Sequence, residues 1–251
     1  ARDTAAVVAD WAIAAEDQAN GIGTGVHALE VQADSVDTDG GAGSVYLDIV
    51  GDFDLGDMTV GTGGQIVVTA TGDITISGTI TADTLVYITA GGAIIDGGGQ
   101  IIADDLVLVA ADGIGTLADP VDMQVDPFAA DGGAGGVFVN NVGPLVIGTL
   151  DGVVGVSGGG DIVIISTGSI TLQAPISTPA DVTMTTGGAI IDEYTDAEDV
   201  VADDLVVDAV SGIDLDTIVT TIDASVSAAG SITIHETDGV TLTDIDTANG
   251  A

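Results

Sequence analysis

The chain has 251 residues, with 40 acidic side chains against one basic one, Arg2, and a formal net charge of −39. Direct partnership with nucleic acid and a basic patch for anionic lipid are excluded, because both need Lys and Arg. Cysteine is absent, which excludes disulfides, thiolate nucleophiles and Cys-ligated zinc, and no apolar run is long enough to insert in a membrane.

Apolar residues nevertheless make up 46% of the chain and aromatics only 3%, so the core must come from Val, Ile, Ala and Leu. Such side chains favour strands, and 38 glycines point to many tight turns. In chain order, the first twenty residues read two ways. Ala5 to Ala19 is alanine-rich enough for a helical cap, whereas Val7-Val8-Ala9-Asp10 lines up with Val200-Val201-Ala202-Asp203 and favours a strand. Strands are then expected at 65–69, 73–77, 85–89, 106–110, 137–140 and 161–165, separated by Gly, Asp or Thr. Alternation puts Ile74, Ile76, Val86, Ile88, Leu106 and Leu108 on inward faces.

Self-similarity organises these strands. Gly91-Gly92-Ala93-Ile94-Ile95-Asp96 recurs identically at 187–192, an offset of 96 residues. Thr71-Gly72-Asp73-Ile74-Thr75-Ile76 matches 167–172 at the same offset, and Gly63-Gly64-Gln65-Ile66-Val67-Val68 matches 159–164. Ala103-Asp104-Asp105-Leu106 reappears at 202–205, three residues late, so the acidic stretch 193–199 reads as a loop insertion. A partial copy opens the chain, where Gly21-Ile22-Gly23-Thr24 matches 113–116 and Asp39-Gly40-Gly41-Ala42-Gly43 matches 131–135. The units are a partial one at about 1–62, then 63–158 and 159–251. The chain starts and stops inside the pattern and has no initiator Met, as expected of a mature product or an excised segment.

The fold expected is all-β: one continuous right-handed parallel β-helix, or β-solenoid, over residues 1–251. Three strand-and-turn steps form each roughly triangular coil of about twenty residues, giving about twelve coils and a rod on the order of 60 Å long. The rival is a string of immunoglobulin-like sandwiches, since 96 residues is close to one such domain. Trp11 as the lone Trp, the absence of proline-rich linkers and strands that run across the unit boundaries favour the solenoid.

The blocks Gly-Gly-Ala-Ile-Ile-Asp, Ala-Asp-Asp-Leu and Gly-Ile-Gly-Thr resemble repeats of giant bacterial surface proteins, the filamentous-haemagglutinin-like adhesins. That resemblance spans nearly the whole chain through repeat style and short degenerate blocks. It implies a right-handed parallel β-helix, an extracellular or cell-surface location, and a role in adhesion, biofilm or filament formation. It carries no catalytic residues, and the N-terminal secretion domain of such proteins has no counterpart here.

An enzyme is not expected. Of the two histidines, His235 aligns with Asn140 and Asp48 at a polar strand end, and His27 sits in a loop without an acidic or Ser partner pattern. Some β-helices cleave polysaccharides with paired carboxylates, but the aromatic and basic groove residues that accompany them are missing. Calcium, which takes six to eight oxygen ligands, is the one candidate ion, and no cofactor is required. Its expected ligands are Asp192, Glu193, Asp196, Glu198 and Asp199 in the inserted loop. The run Asp34, Asp37 and Asp39, with its counterpart Asp122, Asp126 and Asp131, is a second acidic concentration. A solvated acidic turn is the rival reading for both. With so few internal cations, the fold should rely on a salty or divalent-rich setting, or else the acids keep a sticky β-protein dispersed. Expected partners are other copies of the chain, end to end or side by side, together with divalent cations and surface glycans.

Overall fold

Alternation sets the geometry of every strand. In Ile74–Ile76 both isoleucines are fully buried while Thr75 points outward, since successive side chains of a strand leave on opposite sides. A three-residue strand cannot close a core by itself, so it is covered by stacking the next turn of chain on it. The computed structural model describes residues 21–32, 34–194 and 197–248. Over these the chain winds as a parallel β-solenoid of about 11 turns, without helices. The expectation was about twelve for the whole chain; the choice between cap and strand for residues 1–20 falls outside the described residues.

One coil consists of Ile66–Ala70, Ile74–Ile76 and Thr79–Thr81, and the next of Leu85–Ala90, Ile94–Asp96 and Gln100–Ile102. Ile66 pairs with Val86, Ile74 with Ile94 and Ile80 with Ile101, so three faces each carry a parallel ladder. Like side chains therefore stack on like. Ile74, Ile76, Val86, Ile88, Leu106 and Leu108 are all 0% exposed, as alternation predicts. Parallel pairs such as Val45 with Ile66 and Val137 with Ile162 cross the boundaries of the long repeats. A string of separate sandwiches is thereby ruled out among the described residues.

The long repeat and the coil are out of step. In the first half the long strands Val45–Ile49, Ile66–Ala70, Leu85–Ala90 and Asp105–Ala110 share one face. Beyond residue 130 that face splits into two columns of short strands, through Phe128 to Ile147 and through Ala130 to Val156. The short-strand columns fuse in exchange: Ile94 leads through Ile114 to Val137, and Ile101 leads through Met123 to Asn141. Long strands from Val137–Asn141 to Thr221–Val226 stack there instead. Ile66 and Ile162, equivalent in sequence, thus stand in different sheets. The 96-residue unit covers four coils and part of a fifth, so each copy begins on a new face.

One element breaks the pattern and was not expected. Thr149–Leu150 pairs antiparallel with Val153–Val154. Asp151 (φ 44°) and Gly152 (φ 89°) form the turn between them, and positive φ at both positions suits a two-residue hairpin. This hairpin lies on the outer surface of Asp105–Ala110 and Phe128–Asp131. Beneath it, the outward-facing Val107 and Ala129 are 0% exposed, a small second apolar contact outside the solenoid core.

Candidate functional site

Corners are where a solenoid's backbone leaves the ladder, and the acids gather there. Asp52 Oδ1 accepts the amide of Asp73 at 3.0 Å, and Asp73 Oδ1 accepts the amide of Ala93 at 2.8 Å. Asp37 does the same for Asp57 (2.7 Å), and Asp57 for Thr79 (2.8 Å). Ser169 Oγ accepts from Ala189 at 3.1 Å in the later repeat. In each case the side chain of one coil receives the first amide after a glycine in the next. That glycine has a steric reason: a Cβ on Gly92 would overlap Asp73 Oδ1, one on Gly56 would overlap Asp37 Oδ1, and one on Gly188 would overlap Ser169 Oγ. A single device therefore employs Asp37, Asp52, Asp57 and Asp73 together with the corner glycines of the next coil, and it answers the rule that backbone amides need partners.

Of the second acidic run, Asp37 belongs to this device, and most of the others meet different donors of the protein. Asp37 is a corner acceptor, Asp39 and Asp131 accept the amides of Gly41 and Gly133, Asp126 accepts from Val146, and Asp122 accepts from Asn140 Nδ2. The five carboxylates Asp37, Asp39, Asp122, Asp126 and Asp131 are dispersed along the rod and accept from the protein's own donors, and Asp34 joins this run through its backbone carbonyl, which accepts the Asp54 amide. Among the described residues they do not gather into a metal-binding group.

The inserted loop is different. Asp192 Oδ1 accepts the amide of Tyr194 at 2.8 Å, Glu193 Oε2 accepts from Gln173 Nε2 at 2.8 Å, and Glu198 faces Thr237. Asp196 falls outside the described residues. Asp199 is 0% exposed; its Oδ2 accepts the amide of Asp216 at 2.9 Å, and its Oδ1 has no partner. Of the expected ligands, Asp192 and Asp199 feel each other's charge, while Glu193 and Glu198 turn to Gln173 and Thr237. Burial pushes the Asp199 carboxyl up to about 7, the neighbouring Asp192 and Asp216 charges add to the rise, and the Asp216 amide opposes it.

Sequence reading missed a second buried carboxyl with an orphaned oxygen. Asp96 ends the first Gly-Gly-Ala-Ile-Ile-Asp block, as Asp192 ends the second. In Ile94–Asp96 the pattern is inward, outward, inward, and Asp96 occupies the register of the buried Ile76 one coil earlier. Its Oδ1 is buried without a partner. Burial, followed by the Asp119 and Asp122 charges, raises its pKa against the pull of the Gly98 amide. Alternation was the available signal, since it places the sixth residue of the block on the same side as Ile94.

The histidines form no catalytic constellation among the described residues. His235 is outward-facing, with Nδ1 3.3 Å from Asp216 Oδ1, and His27 closes a tight turn with Thr24. No group of three or more His, Asp or Glu side chains has metal-binding spacing among the described residues. No family model, no curated protein and no solved structure matches this chain.

Proposed function

We propose that the chain is a non-catalytic structural rod of the extracellular or cell-surface kind, a stalk or adhesin segment whose repeats supply length and stiffness. The observation that carries this reading is the unbroken stack of parallel coils, whose corner carboxylates Asp37, Asp52, Asp57 and Asp73 accept the protein's own amides. Parallel ladders that share a core along their whole length resist bending, and an acidic outer surface stays hydrated. The repeat style shared with filamentous-haemagglutinin-like proteins agrees with it, and glycans on a facing surface are the adhesive partner that style suggests. Negative-stain microscopy of the purified chain should show separate rods, on the order of 50 Å long for about eleven stacked coils. Turnover on acidic or neutral glycans would refute the non-catalytic part.

A second reading is a subunit that stacks end to end into a filament, continuing between chains the parallel ladders that join successive coils within one. Unpaired edges template further strands. Long uniform fibres in the same images would select it.

A further inference from the structure

We propose that Tyr46, Val67 and Tyr87 form a strip that binds a neutral, extended β-linked glycan lying along the rod. The proposal rests on the surface-rod reading and deepens it, by giving the glycan partner a place on the molecule. The three residues face outward on successive coils and stand in register, Tyr46 opposite Val67 and Val67 opposite Tyr87. All three are half-buried. Two of the chain's three tyrosines thus stand in one column. Two coil steps of about 4.8 Å set them about 10 Å apart along the axis. That is close to the length of one disaccharide in an extended β-linked chain, so alternate sugars meet a ring. Tyrosine combines a broad apolar body with a polar tip, which suits the C–H face of a pyranose and its rim of hydroxyls.

The columns on either side supply hydrogen-bonding groups. Asp48, Thr69 and Thr89 stand in register on one side. Gln65 lies on the other, where its Nε2 donates to Tyr46 Oη. An apolar column one residue wide between polar ones is too narrow for a standard protein interface, which buries about 800 Å² of each partner, but it has the width of a single sugar chain. Charge selects the class of glycan. With a net charge of −39, no Lys and Asp48 beside the strip, uronate and sulfate chains are repelled and a neutral one is not. The same column continues over the next two coils as Val107 and Ala129. There the hairpin of Thr149–Leu150 and Val153–Val154 covers it, leaving both residues 0% exposed. The fold therefore closes one end of this apolar column with its own chain and leaves the two tyrosines open to a ligand.

Isothermal titration of the full chain with cellohexaose provides the test. The wild type should bind it saturably and should not bind an oligoglucuronate of the same linkage. Tyr46→Thr and Tyr87→Thr should each weaken binding about tenfold, threonine being chosen because it keeps strand propensity at an outward position. The double variant should bind none, while Tyr194→Thr, in the inserted loop, should bind as the wild type does. Should a substitution unfold the chain, NMR of wild-type protein with isotope-labelled tyrosine rings reads the contact directly. Cellohexaose should shift the signals of Tyr46 and Tyr87 and leave that of Tyr194 in place. No saturable binding, equal binding of the oligoglucuronate, or an undiminished double variant overturns the proposal. So does a wild-type dimer in sedimentation that the double variant abolishes, since the strip would then join two copies of the chain. Microscopy of the unliganded protein judges the rod separately, and rods that bind no cellohexaose sink the strip alone.

Discussion

Replacing Gly92 with alanine should destabilise the solenoid only while Asp73 keeps its carboxylate. A Cβ at position 92 would occupy the place of Asp73 Oδ1, with Asp73 Cγ at 3.1 Å, and the nearest backbone atom, the Asp73 amide nitrogen, is also at 3.1 Å. The carboxylate must therefore swing away and give up the 2.8 Å bond to the Ala93 amide. Loss of such a bond is worth about 1 kcal/mol, and residual crowding should bring Gly92→Ala to about 2 kcal/mol in the wild-type background. Asp73→Ala by itself should cost about 1 kcal/mol. In that background the carboxylate has gone, and Gly92→Ala should be neutral or stabilising by up to about 1 kcal/mol, because alanine narrows the unfolded ensemble. The coupling expected is thus about 2 kcal/mol, readable from urea midpoints of the four proteins. Gly72 serves as the contrast. Its Cβ would meet backbone, the Asp52 nitrogen and the Gly51 carbonyl carbon, each at 2.6 Å. Asp52→Ala therefore cannot relieve Gly72→Ala. Equal destabilisation by Gly92→Ala in both backgrounds would refute the corner mechanism.

Three further outcomes are expected. Ile74→Asp should abolish the cooperative melt of the wild-type rod by placing a carboxylate on a fully buried ladder, and Ile74→Val should cost about 1 kcal/mol; Asp73→Asn, whose amide oxygen can still accept from Ala93, should shift the urea midpoint hardly at all. Asp105 has its pKa raised by burial, then by the Asp104 and Asp151 charges. A native pKa above the unfolded one gives stability that is complete below the unfolded value and lost as pH rises through the native value. Asp105→Asn should therefore melt higher than wild type at neutral pH and converge with it below about pH 4, and a constant difference across that range would count against burial as the cause of the raised pKa. Finally, a chain of net charge −39 should melt at higher temperature as NaCl rises from about 0.02 to 0.5 M; a flat response in differential scanning calorimetry would mean that the acids do not repel one another across the rod.

The strand content, the inward ladder and the stacking of coils were legible in the residues, because period-two alternation and recurring Gly-Asp breaks are local properties. Ile74, Ile76, Val86 and Ile88 face the core wherever the coil happens to lie. The hairpin was legible too but went unread: Leu150-Asp151-Gly152-Val153 carries an Asp-Gly turn signal between apolar residues. In the inserted loop, counting acids overstated the cluster, since Glu193 and Glu198 are directed to Gln173 and Thr237.

By itself, then, the amino-acid order determined that this chain is β, repetitive and acidic, and which side chains of each strand must leave water. Only the tertiary structure decided which coil lies over which. That depends on the cumulative length of every corner and loop, and it moved the second repeat onto another face. It also decided that Asp52 and Asp73 hold up the backbone twenty or so residues on, while Asp199, from an equally acidic stretch, is buried with an oxygen unanswered. A carboxylate's role is set by the donors within about 3 Å of it, and in a solenoid those donors come from the neighbouring coil and not from the adjoining sequence.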